Sequence, residues 1–237
     1  MYISWFSCGA TSAIATKIAL SKYPDVRIIY IDTKSEHEDS IRFLHDCEDW
    51  FGQKVEIYSS EKYSGHFDVI RKKKFLNSPV GAPCTLELKK KVRWQLEDSI
   101  KEWEGQIFGY DVSEQHRAQR FMEQNPKAKP VYPLIESQLS KADCLALLKR
   151  VPIEIPTMYR LGFHNNNCVG CVKGKKGYWW KIKSCFPDVF DRMANLEREI
   201  GHSCINGCFL DELRPTKLPP LVESCSLFCD PDFMDIK

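Results

Sequence analysis

The chain has no uninterrupted apolar run of the roughly 18 residues that a bilayer-spanning helix needs, and its opening MYISWFSCGA has no basic stretch ahead of a long apolar core. Membrane insertion and secretion are therefore not expected, and the expected compartment is the cytoplasm. Charge of one sign is scarce too. The 34 basic and 32 acidic residues leave a formal +2, so no global field recruits a polyanion. Local basic runs such as those at 72–74 and 89–91 still offer contacts to anions. No internal repeat and no low-complexity tract is present, which argues against solenoid and linker-like architectures. What the chain has in excess is cysteine. It carries 11, and seven of them lie after residue 167. Without an export signal, that excess points to metal ligation or redox chemistry before disulfides.

Through roughly the first 150 residues, apolar runs of strand length alternate with amphipathic stretches, the rhythm of a parallel sheet with crossover helices. Strands are expected at 2–7, 26–31, 55–58, 106–110 and 131–134. Helices are expected at 10–22, with Ile14, Ile18 and Ala19 on one side, at 36–51, with Ile41, Leu44 and Trp50 at helical spacing, and at 85–103. Two more are expected at 113–124 and 140–149, with Ser113 and Ser140 as N-caps. Pro152 and Pro156 break the pattern, and after about residue 160 the chain reads as irregular apart from one helix over 188–200. The expected architecture is a Rossmann-like α/β fold with a mostly parallel, roughly five-stranded sheet and helices on both faces. A nucleotide-binding domain over 1–160 would carry a Cys-rich appendage over 161–237.

Three places on this frame carry candidate chemistry. The first strand runs into Ser7-Cys8-Gly9-Ala10-Thr11-Ser12 and then a helix, the layout that offers backbone N–H groups, hydroxyls and a helix N-terminus to a phosphate; an ordinary βα turn is the bland alternative. The second strand ends in Ile31-Asp32-Thr33, at the sheet edge where open α/β folds bind ligands. Asp32 there suits an adenine amino group, a ribose or a cation, or merely caps a turn. Cys168-Val169-Gly170-Cys171 has the spacing that lets two thiolates reach one metal centre.

Taken together, SCGATSA, YIDT and PCTLELKKK resemble the phosphoadenosine phosphosulfate (PAPS) reductase family of adenine-nucleotide α-hydrolase-like proteins. The resemblance identifies the first loop as a PP-loop of the pattern SGGxDS, matched by Ser7, Gly9 and Ser12, with Cys8 in place of a glycine and Thr11 in place of the aspartate. In the ATP-cleaving branch that aspartate helps hold magnesium, and threonine is a poor ligand for a hard cation. The substitution leans toward the sulfonucleotide reductases or toward a changed activity. From Gly109, GYDVSEQHRAQR is similar to the family stretch G-x-R-x-x-E-S-x-x-R, with Glu114 in place, Arg117 one position before the final arginine and Asp111 where an arginine is usual. Arg117 and Arg120, three apart on a helix, then face one anion or form a solvated face.

By the same resemblance, Cys84, Cys168 and Cys171 would ligate a [4Fe-4S] cluster, although Thr85 stands where a second cysteine of a Cys-Cys pair is expected. The fourth position is then open or filled from the tail. A structural zinc completed by Cys225 and Cys229 is the alternative. Glu223-Ser224-Cys225-Ser226-Leu227 loosely resembles the family's catalytic E-C-G-L-H, which makes Cys225 the nucleophile toward sulfur and Cys229 a resolving thiol or a metal ligand. Cys204 and Cys208 match no family position and read as incidental. The implied function is PAPS-reductase-like sulfur chemistry on PAPS, adenylylsulfate or ATP, with a thioredoxin-like reductant. The alternatives are an ATP-dependent sulfurtransferase acting on nucleic acid, supplied by a cysteine desulfurase, and a catalytically silent nucleotide binder. A homodimer is compatible with any of them.

Overall fold

A computed structural model describes residues 1–78 and 81–222. Cys225 and Cys229 lie outside the described residues. The elements in chain order are β1 (Tyr2–Trp5), α1 (Ala10–Lys22), β2 (Val26–Asp32), α2 (Asp39–Phe51), β3 (Glu56–Ser59) and α3 (His66–Lys73). There follow α4 (Pro83–Thr85), a π-helical turn over Leu86–Lys90, α5 (Lys91–Ile100), β4 (Gly105–Ile107), α6 (Gln115–Gln124) and β5 (Pro130–Val131). The remainder comprises α7 (Pro133–Glu136), α8 (Lys141–Leu148), α9 (Thr157–Arg160), α10 (Lys176–Cys185) and α11 (Pro187–Ile200).

The strands form one five-stranded sheet of order β3-β2-β1-β4-β5, with β1 parallel to β2 and β4, and β4 parallel to β5. This is the expected α/β fold. β1 is central, so Ile3, Ser4 and Trp5 are all buried and the strand shows no polar alternation. Its buried Ser4 hydroxyl is satisfied by Thr16 of α1 at 2.8 Å.

Two compact units emerge from the contacts. The first comprises Met1–Ile31, Glu38–Tyr58 and Gln95–Thr157; the second comprises Asp32–His37, Ser59–Trp94 and the described residues from Met158 onward. In the first unit the stripe that α2 buries is Phe43, Leu44, Cys47 and Phe51, while Ile41 remains 38% exposed. Of the expected Ile41, Leu44 and Trp50, Leu44 lies on the buried face, Trp50 is half-buried and Ile41 is exposed. The cap of the segment before α6 also differs from expectation: Asp111 accepts from the Ser113 N–H at 2.8 Å and from its hydroxyl, so Ser113 is a donor to the cap. Ser140 does cap α8, accepting from the Asp143 N–H at 3.2 Å.

The second unit holds more helix than its sequence suggests. α10 escapes a periodicity reading because four lysines from Lys175 to Lys183 interrupt it, yet Tyr178, Trp179 and Ile182 form its buried face. With Phe67, Ile70, Met158, Phe163, Phe190 and Met193 they build one apolar core. α3 was likewise missed; it buries Phe67 and Ile70 at i, i+3 spacing. The single long helix expected over 85–103 is interrupted by the π-helical turn, an irregularity that is frequent at functional sites.

Candidate nucleotide and thiol site

The β1–α1 loop is organised by one side chain. Ser12, buried at the first turn of α1, accepts from the Ser7 N–H at 3.1 Å, the Ser7 hydroxyl at 3.0 Å and the Gly9 N–H at 3.3 Å, and donates to the Gly9 carbonyl at 3.0 Å. Its hydroxyl therefore shapes the loop from within, while Ser7 is the exposed member. Cys8 is fully buried and adopts φ 52°, the left-handed conformation that costs a non-glycine residue about 1 kcal/mol. That explains why glycine suits this loop position and shows that this chain tolerates cysteine there.

Gly109 closes over the same turn. A Cβ on it would stand 2.7 Å from the Ser12 Cα and 2.8 Å from the Ser12 nitrogen, so only glycine lets the segment after β4 approach the start of α1 this closely. Nearby, the Arg117 guanidinium pairs with Glu114 and lies 4.7 Å from the centre of the Tyr110 ring. Arg120 is exposed on the next turn. Lys141 is half-buried at the start of α8, and desolvation lowers its ammonium to about 8 in spite of Glu114 and Asp111.

In the second unit, Asp32 Oδ1 accepts the Lys34 N–H at 2.7 Å, an Asx turn that positions the chain just after β2. Thr33 is buried, and its hydroxyl lies 3.2 Å from Cys168 Sγ and 3.4 Å from Glu36 Oε1. A residue read from sequence as a nucleotide contact thus adjoins the first thiol of the CVGC turn.

That turn is built around Tyr178. Its buried hydroxyl accepts the N–H groups of Gly170 and Cys171 and donates to the Cys168 carbonyl, each at 3.0 Å. Burial holds the phenol far above its usual titration range. Gly170 has φ 82°, and a Cβ there would stand 2.6 Å from Val189. Its carbonyl meets Nε2 of buried His66 at 3.1 Å, and burial depresses that imidazole to about 4. His66 Nε2 is therefore the N–H donor to the carbonyl.

Cys171 and Cys204 lie in, and Cys84 and Cys168 pack against, one apolar core of this unit, and Cys84 also packs against a smaller cluster of Tyr63, Val69 and Leu88. All nine described cysteines are thiols. Cys204, read from sequence as incidental, is only 8% exposed. Its thiol is pushed well above its ordinary value by burial and then by Glu197, with smaller contributions from the Cys171 and Cys84 sulfurs. Asn77 donates from one amide nitrogen to the Val172 carbonyl and, at 3.3 Å, to the Cys204 carbonyl. Glu197 is fully buried, and burial raises its carboxyl. It accepts the N–H groups of Cys204 and Leu210 and so pins that loop. Neither Glu197, Asn77 nor His66 was singled out from sequence, since their partners are distant along the chain or unmarked by any motif.

A 3-2-1-4-5 parallel sheet with a small-residue loop between its central strand and the first helix defines an α/β protein of the class whose ligands bind at the carboxyl ends of the strands; the second unit is rich in thiols. Residues 2–175 match the phosphoadenosine phosphosulfate reductase domain, and the chain belongs to that family. Among solved structures it is similar to a phosphoadenylyl-sulfate (PAPS) reductase from Candida auris in a phosphate complex, with a TM-score of 0.53, 12% identity, and coverage of 70% of this chain and 80% of that one. That likeness concerns the fold. No curated protein matches the sequence. Among the described residues no helix is long and apolar enough to cross a membrane.

Proposed function

We propose that the chain is a PAPS-reductase-like enzyme that holds an adenine nucleotide at the 7–12 loop and carries out thiol-dependent sulfur chemistry beside the end of β2. The observation that carries this reading is the 3.2 Å contact between Thr33 and Cys168. It sets a thiol at the carboxyl end of β2, where open sheets receive ligands. Membership of the family supports an adenine nucleotide as that ligand. Ser7, Gly9 and the N-terminus of α1 would receive a phosphate, Ser12 and Gly109 would shape the loop, Asp32 would meet the base or ribose, and Arg117 with Arg120 would face the charged end of the ligand.

In the reductive reaction a thiolate, assigned by resemblance to Cys225, attacks the sulfonate sulfur of the nucleotide. An S–S bond forms as the S–O bond to phosphate breaks, and the adenosine phosphate departs with the electron pair. A dithiol reductant of the thioredoxin class then displaces sulfite, and its second thiol releases the enzyme thiolate while the reductant becomes a disulfide. Cys229 would resolve the same intermediate if it lies nearer than the reductant.

The chemistry of the remaining donors suits an iron–sulfur cluster. Cys84, Cys168 and Cys171 are soft ligands in an apolar setting. The buried Trp179 indole belongs to the same core, and its N–H has no hydrogen-bond partner among the described residues. Among the described residues, no three Cys, His, Asp or Glu side chains are placed to hold one metal ion; a cluster's own iron and sulfide atoms hold its ligands farther apart than a single ion does, and a structural zinc is the alternative. When bound, such a cluster supplies electropositive iron and a sulfide reservoir. The chain's part is to hold it: Tyr178 fixes the CVGC turn and Thr33 accompanies Cys168.

Anaerobically purified protein given PAPS or adenylylsulfate with a dithiol is expected to release sulfite. If it instead releases pyrophosphate from ATP only when RNA or DNA is present, the sulfurtransferase reading replaces this one. Tight binding of adenine nucleotides with no product over hours would leave a silent binder.

A further inference from the structure

The apolar core around the CVGC turn also takes in a cysteine from the loop after α11, and the fixtures on that loop are not those of an incidental thiol. We infer that Cys204 is the fourth thiolate of the cysteine site, joining Cys84, Cys168 and Cys171 and standing in for the second cysteine that Thr85 replaces. The inference rests on the iron–sulfur reading above and adds to it the identity of the missing ligand.

Three observations carry it. First, Cys204 and Cys171 are the two cysteines inside one core, at 8% and 6% exposure, and Cys84 and Cys168 pack against it, as do Cys185 and Cys208. Second, Asn77 ties the two cysteine segments together. Its amide nitrogen binds the carbonyl of Val172, the residue after Cys171, and the carbonyl of Cys204 itself. Asn77 lies only seven positions before Cys84, so one side chain links three cysteine-bearing segments that are far apart in sequence. Third, the loop holding Cys204 is fixed by a fully buried carboxylate. Glu197 takes the N–H groups of Cys204 and Leu210, while Gly201 and His202 donate to its backbone carbonyl at 2.8 and 3.2 Å. A buried carboxylate is costly, and here it orders the residues on either side of one cysteine.

Cys208 provides the internal contrast. It is only partly buried, and its thiol donates to the carbonyl of the next residue at 3.5 Å. It lies four residues from Cys204 but outside the Asn77 and Glu197 contacts, so it serves as the matched control.

The test is iron and acid-labile sulfide content, with the absorption band near ~400 nm that thiolate-ligated clusters show, on full-length protein purified or reconstituted without oxygen. Cys204→Ser keeps a hydroxyl able to donate to Glu197, so the fold is expected to survive; circular dichroism checks this. It is expected to lose at least half of the wild-type iron or to yield an altered paramagnetic spectrum, while Cys208→Ser retains the wild-type content and spectrum. Wild-type iron and spectrum in folded Cys204→Ser would overturn the assignment, and loss on Cys225→Ser or Cys229→Ser instead would move the fourth ligand to the tail. If wild-type protein takes up no iron on reconstitution, the cluster reading itself fails, and this inference with it. Should Cys204→Ser not fold, alkylation of wild-type protein in dilute urea decides. Slower labelling of Cys204 with the cluster than after chelation supports the ligand, and equal labelling overturns it.

Discussion

Replacing Gly109 with alanine tests the loop architecture most directly. The added Cβ would sit 2.7 Å from the Ser12 Cα and 2.8 Å from its nitrogen, against about 3.4–4 Å for ordinary van der Waals contact. Both neighbours are backbone, so no rotamer change relieves the overlap, and the first turn of α1 or the chain after β4 must move by about 0.7 Å or more. Overpacking of this kind costs about 1–3 kcal/mol. A shift of that size on Ser12 also stretches its bonds to Ser7 N at 3.1 Å and Gly9 N at 3.3 Å toward rupture, each bond contributing roughly 1 kcal/mol. The overpacking alone is expected to lower the melting temperature by about 2–12 °C, taking about 2–4 °C per kcal/mol for a chain of this size. Calorimetric titration with adenosine bisphosphate or adenylylsulfate should show at least a tenfold loss of affinity, because the backbone that would receive the phosphate is the part displaced. A Gly109→Ala protein with a melting temperature within a degree of wild type and affinity within twofold would refute this account of the loop.

Tyr178→Phe removes the acceptor of two buried N–H groups and the donor to the Cys168 carbonyl; urea unfolding is expected to show a loss of about 2–4 kcal/mol, with faster alkylation of Cys168. His66 titrates near 4 in the folded protein against about 6.5 unfolded. The unfolded chain therefore binds the extra proton between those values, and stability should fall by up to about 3 kcal/mol as pH drops from 6.5 to 4. Urea midpoints across that window check this, and His66→Gln should flatten the slope. At Cys8, substitution by glycine trades about 1 kcal/mol of left-handed strain for a similar loss of burial and should change stability by less than about 1 kcal/mol. A β-branched valine at φ 52° should cost about 2 kcal/mol or more, and thermal unfolding of the pair separates the two.

Local patterns were enough for much of the frame. The β1–α1 loop, the β2 edge, the segment at Gly109 and the CVGC spacing each reside in a few consecutive residues, so their chemistry shows in a one-dimensional string. The same locality explains the errors. α10 and α3 have short buried faces diluted by lysines, and the exposed Ile41 belongs to a helix whose core side is Phe43, Leu44, Cys47 and Phe51.

What the amino-acid order determined by itself was the kind of chain this is: an alternating α/β sequence with a phosphate-type loop and thiols in metal-ligand spacing, because hydrophobic period and small-residue turns are local properties. Which groups meet was decided only by folding. Thr33 reaching Cys168 across 135 positions and Asn77 joining Val172 to Cys204 depend on packing between segments that no motif links. Burial then sets the protonation of His66 and Glu197, since desolvation is a property of the assembled core and not of any residue in the string.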